Sequence, residues 1–131
     1  MKKSILIIGL SLALFTSLAL SADVPMITKE QLKSMLGNPD LVILDFRSLS
    51  DYMASDLKIK GAVRHSVSSP GDLTSSYPKE KTLVFYCASS KEETSANMVR
   101  GLIERGIPNK VFVLKDGWGE WLKAGYPTEK K

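Results

Sequence analysis

Cys87 is the residue in this sequence that is best placed for nucleophilic chemistry. It directly follows an apolar, β-branched and aromatic run at 82–86, which predicts a strand, and it precedes a predicted helix at 92–105. A thiol at such a turn faces unpaired backbone N–H groups and the positive end of the helix dipole, which favour a thiolate or a bound oxyanion. The alternative is a small buried hydrophobe, because free cysteines are among the most buried residues. Position alone leaves both interpretations open.

Two residue counts narrow the chemistry further. The chain has one cysteine and one histidine, His65. One thiol excludes an internal disulfide, a paired-cysteine redox motif and a cysteine-built zinc site, and one imidazole excludes a histidine-built metal centre. We therefore expect neither a metal nor a cofactor. The spacing of His65 does not direct it at Cys87, and we expect an exposed side chain rather than a general base.

The first 22 residues have the three parts of a secretory signal peptide. Two lysines precede an apolar stretch at 5–20, which ends in small residues. A retained membrane anchor is the alternative, but the stretch is shorter than a spanning helix requires. We expect cleavage after Ser21 or Ala22 and export, to a bacterial periplasm, of one domain at 23–131 with no stable membrane span.

The charge of the chain excludes one class of partner. The formal charge is +4, and it falls to +2 without the two lysines of the predicted signal peptide. A charge this small and this evenly spread does not predict binding to nucleic acid or to an acidic membrane surface. Exported proteins usually keep cysteines for disulfides, so a lone thiol in an exported protein needs another explanation.

The elements that must position Cys87 alternate along the chain. Buried-strand patterns lie at 41–44, 82–86 and 111–114, with a shorter candidate at 61–63, and helix patterns lie at 28–36, 48–53, 92–105 and around Trp118 and Trp121. Thr28 and Gln31 form a capping box at the first helix. Apolar strands separated by helices imply parallel pairing through right-handed crossovers. We expect an α/β fold with one small, mostly parallel sheet and helices on both of its faces.

In such a sheet, sites form beyond the carboxyl ends of the strands. The loops at 45–47, 87–92 and 115–118 meet this condition. Asp45 and Arg47 either help to order the cysteine loop or form a buried ion pair at the strand end, and the ion pair is favoured because buried charges are normally paired. The two tryptophans fall at helical spacing and are expected in the core.

Taken together in order, the motifs of the chain resemble those of a single-domain rhodanese, over about 27–128. They are Asp45-Phe46-Arg47 with Tyr52, Gly61-Ala62, Tyr86-Cys87, Ala96, Leu114-Lys115-Asp116-Gly117, Trp121 and Ala124-Gly125-Tyr126-Pro127. The resemblance implies a sulfurtransferase that carries sulfane sulfur as a persulfide on Cys87 and passes it to a thiol or to cyanide. It also implies substrate-binding residues and two supporting residues around that cysteine. The substrate-binding set is Ala88, Ser89, Ser90, Lys91, Glu92 and Arg64, and the supporting pair is Asp45 and Arg47.

The cysteine loop departs from the common rhodanese pattern. Ser90 stands where glycine is common, and Glu92 stands where arginine is common. The segment is similar instead to a subgroup with glutamate in the arginine's place, which also lengthens the segment before Gly-Ala and carries an arginine at the position of Arg64. Asp116 replaces a glycine that is usual in the last loop, and it is expected to narrow or charge the mouth of the site.

Acidic side chains in the cysteine loop would raise the free energy of the Cys87 thiolate. A carboxylate ~6 Å from the sulfur, at an effective dielectric of ~20, opposes the thiolate by about 3 kcal/mol. The alternative is that Glu92 and Glu93 bond to free N–H groups of the first helical turn, or pair with Lys91, and point away. In both cases we expect low turnover with dianionic thiosulfate, and a neutral or protein-borne sulfur donor or thiol acceptor as the partner.

Two other functions remain as alternatives. The first is a catalytically silent rhodanese-fold binding module in the cell envelope, which the acidic loop would suit. The second is a phosphatase or arsenate reductase of the same fold, but those enzymes hold their oxyanion with an arginine after the cysteine, and this loop has Glu92 there.

Overall fold

A computed structural model describes residues 24–65, 73, 75–89 and 93–131. The predicted signal peptide, and Ser90, Lys91 and Glu92 of the cysteine loop, lie outside the described residues. The elements in chain order are β1 (Met26–Ile27), α1 (Lys29–Met35), β2 (Leu41–Asp45), α2 (Leu49–Met53), β3 (Leu57–Ile59), β4 (Val63–Arg64), β5 (Thr82–Tyr86), α3 (Thr94–Glu104), β6 (Lys110–Leu114), α4 (Gly117–Lys123) and β7 (Thr128–Lys130).

The main sheet has five strands in the order β1-β6-β5-β2-β4, and every neighbouring pair is parallel. The strand β5 lies at the centre, between β2 and β6, so both of its edges are paired. A second, two-stranded sheet pairs β3 with β7 in antiparallel fashion. The predicted α/β fold with a mostly parallel sheet is therefore confirmed.

Helices cover both faces of the main sheet, as expected. On one face Met98, Val99 and Leu102 of α3 pack in a cluster with Phe85. On the other face Leu32 of α1 and the two tryptophans of α4 pack with Val84 and Ile43. Trp118 and Trp121 are both buried, which confirms their prediction as core residues.

Local sequence signals begin α1 and α2 at the predicted places. Thr28 and Gln31 exchange hydrogen bonds as a capping box at α1, with N···O distances of 2.9 and 3.1 Å. The hydroxyl of Ser48 accepts the Asp51 N–H at the start of α2. Each cap satisfies N–H groups that have no partner inside the helix.

Several expectations from the sequence need correction. The short strand is Val63–Arg64 rather than 61–63, because Gly61 has φ +82° and the Ala62 N–H bonds back to the Ile59 carbonyl in a turn. His65 is half-buried rather than exposed, since its ring stacks on Phe46 with centroids 5.2 Å apart. The patterns did not indicate β1, β3 or β7, each of which has two or three residues.

No helix in the described part of the chain is long and apolar enough to cross a membrane.

Candidate functional site

Cys87 directly follows the central strand β5 and so lies at the carboxyl edge of the sheet. The start of α4 holds the cysteine loop in place. The Cys87 carbonyl accepts the Trp118 N–H at 2.8 Å, and the Ala88 carbonyl accepts the Gly119 N–H at 3.0 Å. These N–H groups belong to the first turn of α4 and have no partner inside that helix. The loop and the helix are thus joined backbone to backbone.

This close approach requires glycine at position 117. Gly117 has φ +70°, and a Cβ there would lie 2.8 Å from the Cys87 carbonyl oxygen and 3.1 Å from the backbone of Ser89. Glycine alone avoids both the backbone strain and the contact. The resemblance included Gly117 in a motif, but only the structure shows that it contacts the nucleophile's own peptide.

The sulfur of Cys87 lies against the first turn of α3. The side chain is buried, with 3% of its surface exposed. Its Sγ accepts the Ser95 backbone N–H at 3.2 Å and lies 2.7 Å from the Ser95 hydroxyl oxygen. Donors aimed at sulfur favour the thiolate over the thiol. Ser95 is itself 1% exposed, and the sequence analysis did not single it out.

Cys87 lines a small cavity of about 170 Å³. Its described lining is Met26, Cys87, Ser89, Glu93, Ser95, Ala96, Val113, Leu114 and Asp116. The wall supplied by β1 and β6 is apolar, α3 contributes Ser95 and Ala96, and the charged groups of this described lining are two carboxylates, Glu93 and Asp116. Asp116 has φ +68°, a left-handed conformation that is uncommon outside glycine. The expectation that Asp116 lies at the site is met.

A buried ion pair supports the adjacent strand end. The Asp45 carboxylate accepts two hydrogen bonds from Arg47 Nε, at 3.0 and 3.1 Å, and one from Arg47 Nη2 at 2.6 Å. Both side chains are 0% exposed, which confirms the predicted buried pair. The Tyr86 hydroxyl donates to the same carboxylate at 2.6 Å and accepts the Ile59 N–H at 3.3 Å. Because Tyr86 immediately precedes Cys87, this network fixes the end of the strand that carries the nucleophile.

Aromatic rings surround the Arg47 guanidinium. Its Cζ lies 4.6 Å from the Trp118 ring centroid, 5.2 Å from that of Tyr52 and 5.7 Å from that of Tyr86. Nη2 also donates to the Leu57 carbonyl at 3.0 Å, while the buried Nη1 has no hydrogen-bond acceptor among the described residues. Cation–π attraction to these rings compensates part of the cost of burying the charge. The ion pair therefore ties β2 to α4, the helix that holds the cysteine loop.

The structure places Arg64 in this network, and Arg64 is not among the described lining residues of the Cys87 cavity. Its Nη1 donates to the Arg47 carbonyl and lies 3.7 Å from Asp45 Oδ1, and its Cζ lies 4.4 Å from the Tyr52 centroid. Ser89 does line the cavity, whereas the Ala88 carbonyl is bonded to α4. Ser90, Lys91 and Glu92 lie outside the described residues, so their assignment as substrate-binding residues stays a prediction. The described part of the chain brings together no three His, Cys, Asp or Glu side chains that could hold a metal ion.

The Tyr86 phenol makes stability depend on alkaline pH. Burial, followed by the charge of Asp45, raises the pKa of Tyr86 well above its ordinary value of 10.0. The unfolded phenol ionises near that ordinary value, so this contribution to stability is present below about pH 10 and is lost as the pH rises towards the folded pKa. The Tyr86 contribution should steepen the loss of unfolding free energy by about 1.4 kcal/mol per pH unit above about pH 10.

We expect Tyr86→Phe to remove this component of the slope in chemical unfolding experiments. Below about pH 8 the curves of the two proteins should run parallel, because the phenol is protonated in both states. Equal slopes above about pH 10 would contradict the buried, Asp45-bonded phenol.

Comparisons with known proteins place the chain in a family. Residues 28–124 match the model of the Rhodanese-like domain. The structure is similar to the rhodanese-like domain of an Anabaena protein at 31% identity, with a TM-score of 0.65 and coverage of 83% of this chain and 81% of that one.

Two further solved structures are similar at 25% identity. A thiosulfate sulfurtransferase from Pseudomonas aeruginosa gives a TM-score of 0.65 over 82% of this chain, but only 20% of its own length is covered. A Rhodopseudomonas palustris protein of unknown function, described as a possible tyrosine phosphatase, gives 0.67 over 81% and 85% of the two chains. No curated protein matches the sequence significantly. The extent of the family match, covering most of the chain, shows that this protein belongs to the rhodanese-like domain family.

Proposed function

We propose that this protein is a sulfurtransferase-type sulfur carrier with Cys87 as its nucleophile. The Cys87 thiolate attacks the outer sulfur of a donor, a Cys87 sulfur–sulfur bond forms, and the donor's own sulfur–sulfur bond breaks. The leaving group, a thiolate or sulfite, departs with the electron pair. An acceptor thiolate or cyanide then attacks the outer sulfur and returns the electron pair to Cys87. Atoms and electrons balance, so the cycle needs no external oxidant and no cofactor.

The observation that carries this proposal is the setting of the sulfur. Cys87 forms part of the wall of a cavity of about 170 Å³, and its Sγ accepts the Ser95 N–H and contacts the Ser95 hydroxyl. A cavity of that volume suits a small sulfur donor or the tip of a protein thiol. A purely structural cysteine would more simply be enclosed by apolar side chains on all sides.

The charges at the cavity support a donor without a large negative charge. Glu93 and Asp116 both line it, and no cationic side chain is among its described lining residues. Thiosulfate is a dianion, so like-charge repulsion opposes its approach. We propose a neutral or protein-borne persulfide as the donor, and slow turnover with thiosulfate.

One observation favours a second candidate, a binding module without catalysis. Only 3% of Cys87 is exposed, although reactive cysteines are usually accessible in part. The Rhodopseudomonas neighbour raises phosphatase activity as a third candidate. The loop offers Glu92 where such enzymes need an oxyanion-holding arginine, so the sequence gives that candidate no support.

We further propose that the domain works outside the cytoplasm, in a bacterial periplasm. Support comes from the basic start, apolar stretch and small residues of positions 1–22. Expression of the full chain in a bacterial host and fractionation should place the protein in the periplasm with its N-terminus at Ala22 or Asp23. A cytoplasmic or membrane-retained product with an intact N-terminus would refute export.

Intact mass spectrometry tests the carrier function. We expect incubation with a small alkyl hydropersulfide to add the mass of one sulfur atom, and cyanide to remove it with formation of thiocyanate. Thiosulfate should load the protein more slowly. Cys87→Ser should gain nothing, because a hydroxyl at this site does not form a persulfide. A folded wild-type protein that gains no sulfur from either donor would favour the binding module, and an adduct that persists in Cys87→Ser would exclude Cys87 as the carrier.

A further inference from the structure

Ser95 supplies a side-chain hydroxyl to the reacting sulfur. Its Oγ lies 2.7 Å from Cys87 Sγ, while its backbone N–H approaches the same sulfur at 3.2 Å. Both residues are almost fully buried, so water does not readily replace either contact. We propose that Ser95 is a catalytic residue whose hydroxyl donates a hydrogen bond to the Cys87 thiolate, an inference that rests on the proposed function.

The two contacts of Ser95 differ in what they can do. The backbone N–H is held by α3 and can only donate. The hydroxyl can accept the S–H proton of the neutral thiol and can rotate to donate once the thiolate forms. Ser95 therefore serves as a partner in each protonation state, but only the thiolate accepts from both the N–H and the hydroxyl of Ser95. A hydrogen bond to a charged group is stronger than one between neutral groups, so the balance moves towards the thiolate.

This donor serves both halves of the transfer cycle. In the first half it stabilises the attacking thiolate, and in the second it stabilises the same sulfur as a leaving group when the acceptor removes the outer sulfur. Among the described residues, the charged groups that line the cavity are Glu93 before α3 and Asp116 before α4, and both oppose a thiolate. The β1 and β6 side of the cavity presents Met26, Val113 and Leu114, which carry no charge. The Ser95 hydroxyl thus counteracts the acidic groups of this described lining.

The test is the pH dependence of Cys87 alkylation by iodoacetamide, a neutral probe that involves no sulfur transfer. For Ser95→Ala we expect the midpoint of the rate profile to rise by about one pH unit, the effect of losing one charge-assisted hydrogen bond. Ser34→Ala is the control, because the Ser34 hydroxyl bonds to the Gln31 carbonyl in α1 and is not among the lining residues of the Cys87 cavity. It should keep the wild-type midpoint. A wild-type midpoint in folded Ser95→Ala would overturn the proposal.

A second pair of variants keeps the inference testable if Ser95→Ala fails to fold. Ser95→Thr and Ser95→Val have nearly the same shape and differ in the hydroxyl. The threonine protein should alkylate with the lower midpoint, and equal midpoints would overturn the proposal. A shifted midpoint together with no sulfur adduct on the wild-type protein would retain the Ser95 inference as a statement about the thiolate while refuting the carrier function.

Discussion

Replacing Gly117 with alanine is expected to remove most of the sulfur-loading activity and to destabilise the fold, whereas the same change at Gly125 should leave loading intact. Both glycines have φ +70°. An alanine in that conformation costs about 1 kcal/mol at either position. Any difference between the two variants therefore reports something other than backbone strain.

That difference lies in what the new methyl group would meet. At Gly125 nothing lies within 4 Å of the added Cβ. At Gly117 the Cβ would lie 2.8 Å from the Cys87 carbonyl oxygen, a contact with backbone that cannot rotate away. Relief requires the loop to separate from α4, which breaks the hydrogen bond from the Trp118 N–H to the Cys87 carbonyl. Overpacking of this kind adds about 1–3 kcal/mol.

The measurements are the unfolding free energy and the initial rate of persulfide formation for the two variants and the wild type. We expect Gly117→Ala to lose about 2–4 kcal/mol of stability. Its rate of persulfide formation should fall at least about tenfold, because moving a nucleophile by roughly 1 Å takes it out of the geometry needed for attack. Loading and stability indistinguishable from those of Gly125→Ala would show that the close approach of α4 does not hold the cysteine loop.

Asp45→Ala is expected to be the most destabilising single change to a charged residue described in the structure. The carboxylate is 0% exposed, and it bonds to Arg47 and to the Tyr86 hydroxyl. Its removal leaves the Arg47 guanidinium buried without a counter-ion and leaves the phenol without its acceptor. Breaking a buried pair from one side costs about 3–5 kcal/mol.

A surface acid provides the matched control. Asp40 is 61% exposed in its side chain and lies 3.9 Å from Lys81, so Asp40→Ala should cost less than about 1 kcal/mol. Combining Asp45→Ala with Arg47→Met should recover part of the loss, since the double variant has no uncompensated buried charge. Chemical unfolding checks all three proteins. An Asp45→Ala protein as stable as Asp40→Ala would contradict the importance of the buried pair.

Short-range patterns in the sequence were sufficient for the main elements. The capping box of Thr28 and Gln31, the apolar run at 82–86 and the helical spacing of Trp118 and Trp121 each depend on residues a few positions apart. Interactions of this range are encoded locally, so their elements appear at or near the predicted positions. The strands β3 and β7 could not be inferred in this way, because Leu57 pairs with Lys130 and each strand has three residues. Pairing so distant along the chain depends on the assembled core.

The site likewise has features that local sequence patterns indicate and features that depend on tertiary packing. The sequence by itself determined that Cys87 ends a buried strand and precedes a helix, since a continuous apolar run and a helical stripe are enough to place it. It also indicated the buried Asp45–Arg47 pair, because charged groups at a strand end need partners.

Only the tertiary structure decided what surrounds the sulfur. The packing of α3 against the sheet places Ser95 in contact with Cys87. The strands β1 and β6 supply the apolar wall of the cavity. The backbone of α4 can approach and hold the cysteine loop because Gly117 has no side chain. The tertiary structure also places Arg64 against Asp45, Arg47 and Tyr52, while the expected binding of substrate by Arg64 stays a prediction. These contacts depend on how helices and strands pack in three dimensions, and no local pattern specifies that packing.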